Sequence, residues 1–421
     1  MDSERPLRIA FLTYRGHPYT GGQGVYTRHM AHELRNLGHH VEVFSGPPYP
    51  ELDDDIALTR LPSLDLYRTP DPFRIPRLVE FTDRIDVLEY LVTATATFAE
   101  PLTFSLRAAR LLRERRGDFD IVHDNQCLGT GIATIHREIL PVLETIHHPI
   151  TVDRRLETSH APTRWQRFTK NRFYGFTSMQ TKVARELPRI LTVSSNSYDD
   201  IVADHEVDPD RLHIVHVGVD AERFRPLAEV TPVPGRIMTT ASADVAMKGL
   251  AYLLEALAKL RVEDPSVHLV VIGRPKYDSK ATRLITELGL APHVEFVSGV
   301  SDQRIVELYA EAQVAVVPSL YEGFSLPAVE AMACGVPLVA TTGGALPEVV
   351  GTDGETALQV PPGDSEALAA RIRWALDTPG LRQTVGAAGR QRAIDLYSWS
   401  STARQTVEHY RALLTEMGRP C

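Results

Sequence analysis

The sequence predicts an α/β protein of two domains, each built around a parallel β-sheet. Its 421 residues exceed one ordinary core and suit two domains. Short apolar runs alternate with helical patterns, as βα units do. Near the middle, Pro226, Pro232 and Pro234 interrupt helix and sheet and suggest a boundary. We therefore expect domains at residues 1–225 and 226–398, followed by a C-terminal segment at residues 399–421.

The first half contains five short apolar runs that predict strands. A helical pattern follows the first run, with Tyr26, Met30, Leu34 and Leu37 on one face. Gly38 stands where a C-terminal cap belongs. The predicted strands cover residues 7–12, 40–44, 120–122, 142–146 and 190–193.

The second half repeats this alternation more clearly. Helices are predicted at residues 250–260 and 305–311. The predicted strands cover residues 236–241, 267–272, 294–296, 314–317 and 337–340.

Composition and charge exclude some classes of protein. A formal net charge of -9 argues against nucleic acid as the main partner. The N-terminus is typical of a first strand rather than a signal peptide, and no apolar run reaches the ~18 residues of a membrane span. The cysteines, Cys127, Cys334 and Cys421, are odd in number and far apart, which favours free thiols in the cytoplasm.

One stretch, residues 154–189, departs from the acidic average. It interleaves Arg164, Arg167 and Arg172 with Trp165 and Phe168. Basic and aromatic residues together suit a peripheral contact with the inner face of the membrane, or an anionic acceptor. The more common explanation is a helix with an apolar core face and a solvated basic face.

The segment PSLYEGFSLPAVEAMACGVP, residues 318–337, carries the strongest chemical signal. A strand ends in a turn with Glu322 and Gly323, and a helix begins near Ser325 and Pro327, which suit a cap and a first turn. A helix start exposes backbone N–H groups and partial positive charge, so it can hold a diphosphate. Glu330 can accept hydrogen bonds from ribose hydroxyls, with Glu322 nearer the sugar. Either carboxylate alone would more often be a solvent-exposed side chain.

Glu322 and Glu330, with the sequence between them, resemble the E-x7-E motif of retaining glycosyltransferase family four. This family belongs to the superfamily of glycogen synthase and many mannosyltransferases. The resemblance covers nearly the whole chain, including HVGVDAERFRP before the predicted boundary and the closing LYSWSSTARQTVEHYRALL. It implies the GT-B fold, in which two Rossmann-like domains face a cleft and the C-terminal helix returns to the first domain.

The resemblance also implies roles for individual residues. Glu330 would bind the ribose and Glu322 would lie near the donor sugar. Lys248 would neutralise the diphosphate, and His147 would touch the transferred sugar. The remaining donor-binding positions are Gly22, Gly24, Ser242, Val297, Gly323, Phe324, Ser325 and Leu326.

The sequence departs from the family beside Lys248. Ala241 and Ser242 stand where the family has Gly-Arg, and that arginine contacts the diphosphate. We expect Lys248, the helix amides and Ser242 or another arginine to bind the phosphates instead. A smaller departure is Val217, which replaces the usual asparagine in a turn.

The first half offers weaker signals. The glycines at residues 21–24 lack a dinucleotide pattern; they suit close backbone approach to phosphate or a plain tight turn. The adjacent His147 and His148 follow a strand, where a structural role is the more common one. Neither a zinc site nor a metal site at Asp53-Asp54-Asp55 is expected.

We therefore expect transfer of a hexose from a nucleoside-diphosphate sugar to a hydroxyl, with an α-glycosidic product, no cofactor and no metal. UDP-glucose, UDP-N-acetylglucosamine and GDP-mannose all fit as donors, and a lipid-linked acceptor and a small-molecule glycoside both fit as acceptors. A nucleotide-sugar epimerase on the same fold and a non-catalytic nucleotide-sugar-binding subunit are the alternatives. A phosphorylase would need a pyridoxal-phosphate lysine and a longer chain.

Overall fold

The computed structural model describes residues 5–17, 22–68, 71, 74–159, 161, 163–240, 246–275 and 279–419. The chain forms two compact units. The first unit comprises Met1–Val193, Ser197–Val215 and Trp399–Cys421, and the second comprises Ser194–Asn196 and His216–Ser398. The main division thus falls after Val215, ten residues before the boundary expected from the prolines.

The first unit is built on a parallel sheet in the order β3-β2-β1-β4-β5-β6-β7. Its inner strands are buried on both faces, as expected when helices cover a parallel sheet on both sides. The strands are β1 Arg8–Thr13, β2 His40–Ser45, β3 Ala57–Arg60, β4 Ile121–Asn125, β5 Val142–Ile146, β6 Ile190–Thr192 and β7 Leu212–Ile214.

In the described part of the chain before residue 216, eight helices belong to the first unit. They are α1 Gly22–Asn36, α2 Arg84–Ala94, α3 Glu100–Glu114, α4 Thr130–Glu138, α5 Ile150–Ser159, α6 Arg164–Phe173, α7 Thr177–Glu186 and α8 Ser195–His205, whose first two residues are assigned to the second unit.

The second unit has its own parallel sheet, in the order β10-β9-β8-β11-β12-β13. Its core is aliphatic and lies between this sheet and helices that include α9 and α14. The strands are β8 Arg236–Thr240, β9 His268–Ile272, β10 Val294–Val297, β11 Val314–Val317, β12 Leu338–Thr341 and β13 Leu358–Val360. The helices are α9 Leu250–Glu263, α10 Lys280–Glu287, α11 Asp302–Glu311, α12 Leu326–Ala333, α13 Leu346–Val350, α14 Ser365–Asp377 and α15 Ala387–Leu396.

The last helix, α16 Trp399–Glu416, belongs to the first unit. It buries Trp399, Tyr410 and Leu413 and packs on α1. The hydroxyl of Tyr410 lies 2.6 Å from Nδ1 of His123 on β4. Burial lowers the pKa of His123 to about 3, so the imidazole is neutral and can share a hydrogen bond on each nitrogen. The partner on the other side is Thr145.

The α/β prediction is confirmed, and all ten predicted strands are present within a few residues of their predicted bounds. Three further strands, β3, β7 and β13, lack an apolar run and were missed. Each lies at the edge of its sheet, where one flank is unpaired and polar side chains are tolerated.

The prediction of a single amphipathic helix in the basic, aromatic stretch is wrong. The stretch divides into α5, α6, a short 3-10 turn and α7. Tyr174 and Phe176 are buried, whereas Trp165 and Phe168 on α6 are exposed. Helix α6 has no buried residue at all, so it has no core face.

Two findings concern membranes and thiols. Within the described residues, no helix combines the length and the apolar character that crossing a bilayer requires. Cys127 and Cys334 are buried free thiols, and Cys421 lies outside the described residues.

Candidate functional site

In the second unit, Lys248 and Glu322 form an ion pair across 74 positions of sequence. The ammonium of Lys248 lies 2.8 and 3.0 Å from the two carboxylate oxygens. The hydroxyl of Ser319 donates to the same carboxylate at 2.6 Å. Glu322 is only 8% exposed, so its charge is held by these two donors rather than by water. The alternative of a solvent-exposed carboxylate therefore does not apply to Glu322.

Backbone contacts hold Lys248 against the loop after β11. Lys248 ends a 3-10 turn, and the amide of Leu320 donates to the carbonyl of Met247 at 2.7 Å. The next residue, Gly249, has φ +66 and opens α9. A Cβ at Gly249 would lie 1.8 Å from the carbonyl oxygen of Pro318, so only glycine fits this approach.

Two more glycines pack closely against the backbone of the same loop. A Cβ on Gly343 would approach the carbonyl of Leu320 to 2.6 Å, and one on Gly344 would approach the carbonyl of Glu322 to 2.3 Å. The amide of Ala345 donates to that Glu322 carbonyl at 2.8 Å. The position of the Glu322 backbone is thus fixed by segments from three parts of the unit.

Ser325 does not cap α12, contrary to the sequence prediction. It occupies the N-cap position with φ +91 and ψ 82, and its side chain makes no capping hydrogen bond. A positive φ in a residue other than glycine stores strain of about 1–3 kcal/mol. The hydroxyl is buried and has no hydrogen-bond partner among the described residues. Pro327 does stand in the first turn, as predicted.

The start of α12 also presents backbone amides. The first intrahelical bond is made by Ala328, which donates to the carbonyl of Ser325. The amides of Phe324, Ser325 and Leu326 therefore come before the first hydrogen bond of the helix, close to the positive end of the helix dipole. Together with the unpaired Ser325 hydroxyl they provide donors suited to an anion.

Glu330 lies one turn further along α12 and is half-buried. Burial raises the pKa of its carboxyl to about 7; the charge of Asp302 acts in the same direction, and a hydrogen bond with Tyr309 opposes it. Tyr309 is itself buried, and its hydroxyl donates to the carbonyl of Pro327 at 3.2 Å. Glu330 is therefore a carboxyl that changes charge near neutral pH.

The structure gives less information about two other predicted donor-binding residues of this unit, Val297 and Ser242. Val297 is the last residue of β10, is partly exposed, and accepts a hydrogen bond from Gly273. Ser242, with Ala241, lies outside the described residues.

In the first unit, His147 follows β5 and is oriented by a chain of polar contacts. Its Nε2 lies 2.8 Å from Oδ1 of Asn125. Asn125 in turn donates to the carbonyl of Gln23 and the hydroxyl of Thr27 on α1. Burial lowers the pKa of His147 to about 3, with His148 adding to the effect. The ring is therefore neutral, and because Asn125 Oδ1 only accepts, Nε2 carries the proton.

The two adjacent histidines have different surroundings. His148 lies 2.8 Å from the carboxylate of Asp153. Gln126, which has φ +59, binds the backbone of both histidines through its side-chain amide. It accepts a hydrogen bond from the amide of His147 and donates one to the carbonyl of His148. His147 is thus the one bound to the strand-end network.

The glycine segment is not a plain turn. Gly22 and Gly24 already lie in the first turn of α1, and Gly21 lies outside the described residues. A Cβ on Gly24 would approach the carbonyl of His17 to 2.0 Å, whereas one on Gly22 would meet nothing within 4 Å. Close packing thus requires a glycine at position 24 but not at position 22.

The acidic run is held by basic side chains of α1. His32 contacts Asp53 at 2.5 Å, and Arg35 pairs with Asp53 and Asp55. No group of three metal-ligating side chains occurs among the residues that the structure describes.

Sequence reasoning missed Ser319, Asn125, Gln126 and the glycine pair at residues 343–344. Asn125 is the last residue of β4 and Gln126 follows it, and polar residues at the carboxyl end of a parallel strand are typical of ligand sites. That signal was available. Nothing local marked Ser319 as a partner of Glu322.

Comparisons with known families support one class of protein. Residues 20–223 match the family described as Glycosyltransferase Family 4, and residues 228–392 match Glycosyl transferases group 1. Among solved structures, sucrose-phosphate synthase from Thermosynechococcus elongatus aligns with TM-score 0.74 and 24% identity over 97% of this chain and 100% of that one. HepE from Anabaena, solved with UDP and glucose, aligns with TM-score 0.70 and 18% identity over 96% and 99%. The fold is thus GT-B.

Two relatives are similar over nearly their full length. The chain is 52% identical over 412 residues to the MMP alpha-(1->4)-mannosyltransferase of Mycolicibacterium hassiacum, covering 98% of this chain and 99% of the relative. It is 27% identical to the D-inositol 3-phosphate glycosyltransferase of Streptomyces scabiei, covering 99% and 93%. The chain belongs to glycosyltransferase family four, and it is a glycosyltransferase enzyme.

Proposed function

We propose that this enzyme transfers a mannosyl residue from a nucleoside-diphosphate mannose to the 4-hydroxyl of a saccharide and forms an α-(1→4) bond with retention of configuration. The observation that carries the proposal is the 52% identity, over both full lengths, to an α-(1→4)-mannosyltransferase. The site residues of the second unit fit the same chemistry.

The diphosphate of the donor carries the charge that must be stabilised as the glycosidic bond breaks. Lys248 has three N–H donors, and two are directed at Glu322. The third is available to a phosphate oxygen, as are the amides of Phe324 to Leu326 and the Ser325 hydroxyl. Donors fixed in this way stabilise a developing charge without reorganising, which is the largest contribution in many enzymes.

Glu330 is assigned to the ribose hydroxyls and Glu322 to the donor sugar. Because Ser319 and Lys248 restrain Glu322, this carboxylate is better suited to accept sugar hydroxyl hydrogen bonds than to attack carbon. His147, neutral with Nε2–H directed at Asn125, is assigned to the transferred sugar as a hydrogen-bonding group. We therefore favour front-face attack by the acceptor hydroxyl, with the departing phosphate oxygen taking its proton.

No metal is assigned to the reaction, since the ammonium and the helix amides supply positive potential for the diphosphate. Transfer should persist in excess EDTA. Loss of activity on chelation, restored by a divalent cation, would contradict this assignment.

The proposal is tested in two steps. Thermal unfolding with GDP-mannose, UDP-glucose and UDP-N-acetylglucosamine identifies the donor, because only a bound donor stabilises the folded protein. The product formed on a 4-hydroxyl mannoside is then examined by NMR. An α-(1→4) mannosyl product supports the proposal; a β product, a sugar trapped covalently on Glu322, or an altered sugar released without acceptor would each overturn it.

A further inference from the structure

In the first unit, a set of exposed apolar side chains lies on the same segments as exposed arginines that form no ion pair with any described residue. Its apolar members are Ile75, Leu78, Val79, Val87, Leu91, Trp165 and Phe168, and its basic members are Arg77, Arg84, Arg164 and Arg167. We call this set the basic apolar surface. It contains seven of the fifteen exposed large hydrophobic residues found in the described part of the chain.

Helix α2 contributes to this surface because its acidic side chains are buried and its aliphatic side chains are exposed. Its buried residues are Asp86 and Glu89, which pair with the buried Arg107 at 2.6 and 2.8 Å. The acidic face is therefore satisfied inside the unit, and Val87 and Leu91, one turn apart, point to solvent. Leu78, which lies shortly before this helix, is 91% exposed.

Helix α6 contributes the aromatic part. It has ten residues and none is buried. Trp165 is 71% exposed and stacks on Phe168 with ring centroids 5.7 Å apart. A helix this short gains little stability in water from its own hydrogen bonds, so packing against a partner would stabilise it.

The two helices adjoin at their C-terminal ends. The guanidinium of Arg172 donates to the carbonyl of Thr95 at 2.8 Å, and the amide of Phe98 donates to the carbonyl of Phe173 at 3.2 Å. The C-terminal ends of α2 and α6, the two helices that carry exposed apolar residues, therefore lie next to each other in the first unit.

The charge of this region opposes that of the chain. The acidic residues beside these side chains are paired: Glu80 with Arg74, Asp83 with Arg110 and, on the neighbouring α5, Glu157 with Lys170 of α6. Among the described residues, Arg77, Arg84, Arg164 and Arg167 are exposed and form no ion pair. The surface thus has excess positive charge on a protein whose net charge is -9.

We propose that the basic apolar surface docks the enzyme on an anionic membrane surface, with Trp165, Phe168 and the aliphatic side chains entering the interface and the arginines binding lipid phosphates. Amphipathic segments with Trp and Leu on one side and arginine beside them bind membranes in this way. A second copy fits less well, because a twofold interface places the same patch on both partners and would bring like charges together.

The test is co-sedimentation of the full chain with vesicles of phosphatidylcholine alone and of phosphatidylcholine mixed with phosphatidylglycerol. We expect binding only to the anionic vesicles, weakened by salt. R164Q/R167Q should bind roughly 30-fold less tightly, because each arginine near the membrane surface contributes about a fivefold step. W165A/F168A should lose binding, and V87S/L91S should weaken it.

Matched controls lie elsewhere on the molecule. W374A removes a tryptophan that is 43% exposed in the second unit, and R225Q/R404Q removes two other exposed arginines. Both should bind as the unchanged protein does. Because all the substituted side chains are exposed, melting temperatures should change little and report any misfolding.

Three outcomes would overturn the proposal. The first is equal binding of the unchanged protein to neutral vesicles, or none to anionic ones. The second is a dimer in sedimentation equilibrium that W165A/F168A dissociates, which would assign the surface to a second copy. The third is a W165A/F168A variant with a raised KM for a soluble acceptor and unchanged binding to vesicles. That result would assign the basic apolar surface to binding of the saccharide acceptor.

Discussion

At the scale of single residues, Lys248 is central to the proposed donor site because its ammonium is held beside the buried carboxylate of Glu322. Lys248→Met removes the ammonium but keeps most of the side-chain volume. We expect kcat to fall by about 10²–10³, the usual effect of losing one fixed donor to a developing charge. Steady-state kinetics with saturating donor measures it.

The same substitution leaves Glu322 with Ser319 as its remaining donor, so the folded state should lose about 1–3 kcal/mol. Lys259→Met is the control, since Lys259 lies on α9 and pairs with the exposed Glu366. An equal loss of kcat in the two variants would contradict the role of Lys248.

Glu330 gives a prediction about pH. Its pKa of about 7 means that the carboxyl is mostly neutral below pH 7 and mostly ionised above it. If the ionised form accepts the ribose hydroxyls, the Kd for donor should rise about tenfold per pH unit below 7 and level off above it. Calorimetry between pH 5.5 and 8.5, chosen as roughly one and a half units either side, measures this.

Glu330→Ala should weaken donor binding by about 1–3 kcal/mol and abolish the pH dependence. Glu355→Ala, at an exposed acid of the same unit, should change neither. Unchanged donor affinity in Glu330→Ala would contradict the assignment.

At the scale of elements, the start of α9 packs directly against the backbone of the loop after β11. Gly249 joins them through a positive φ and an approach to the carbonyl of Pro318 that excludes a side chain. Gly249→Ala should therefore displace Lys248 from Glu322, lower donor affinity and destabilise the protein. Urea unfolding and donor-induced thermal shift measure the two effects.

Gly289→Ala separates backbone strain from crowding. Gly289 has φ +67, nearly the same as Gly249, but a Cβ there would meet nothing within 4 Å. We expect this variant to lose only the backbone contribution of about 1–2 kcal/mol. If Gly249→Ala were no worse than Gly289→Ala, the close approach would not matter.

At the scale of the whole molecule, the end of the chain completes the first unit. Helix α16 buries Tyr410 against β4, where its hydroxyl meets His123 at 2.6 Å. Tyr410→Phe should cost about 1–3 kcal/mol, because it leaves Nδ1 of a buried, neutral imidazole without a partner. Tyr198→Phe, whose hydroxyl donates to the exposed carbonyl of Pro209, should cost less.

Removal of residues 399–421 should have a larger effect than Tyr410→Phe, because it exposes the core residues that Trp399, Tyr410 and Leu413 cover. We expect the first unit to lose its cooperative unfolding transition. Thermal unfolding monitored by circular dichroism measures this. A truncated protein that unfolds as cooperatively as the full chain would contradict this.

The sequence by itself determined the α/β class, ten of the strands and a division into two parts, and it singled out Glu322, Glu330, Lys248 and His147 as candidate site residues. The class and the strands follow from local periodicity, which neighbouring residues suffice to show, whereas the candidate site residues follow from the resemblance of short motifs to a known family. The edge strands β3, β7 and β13 escaped because pairing with one neighbour, rather than an apolar run, makes them strands.

Only the tertiary structure decided how those residues are held. Lys248 meets Glu322 because the order of the sheet brings β8 beside β11, and Ser319 reaches the same carboxylate from within the loop that follows β11. Burial, which no local pattern reports, raises the pKa of Glu330 to about 7, and the buried hydroxyl of Ser325 has no hydrogen-bond partner among the described residues. The outward apolar residues of α2 have the same origin: Arg107, on another helix, draws the acidic face of α2 inward.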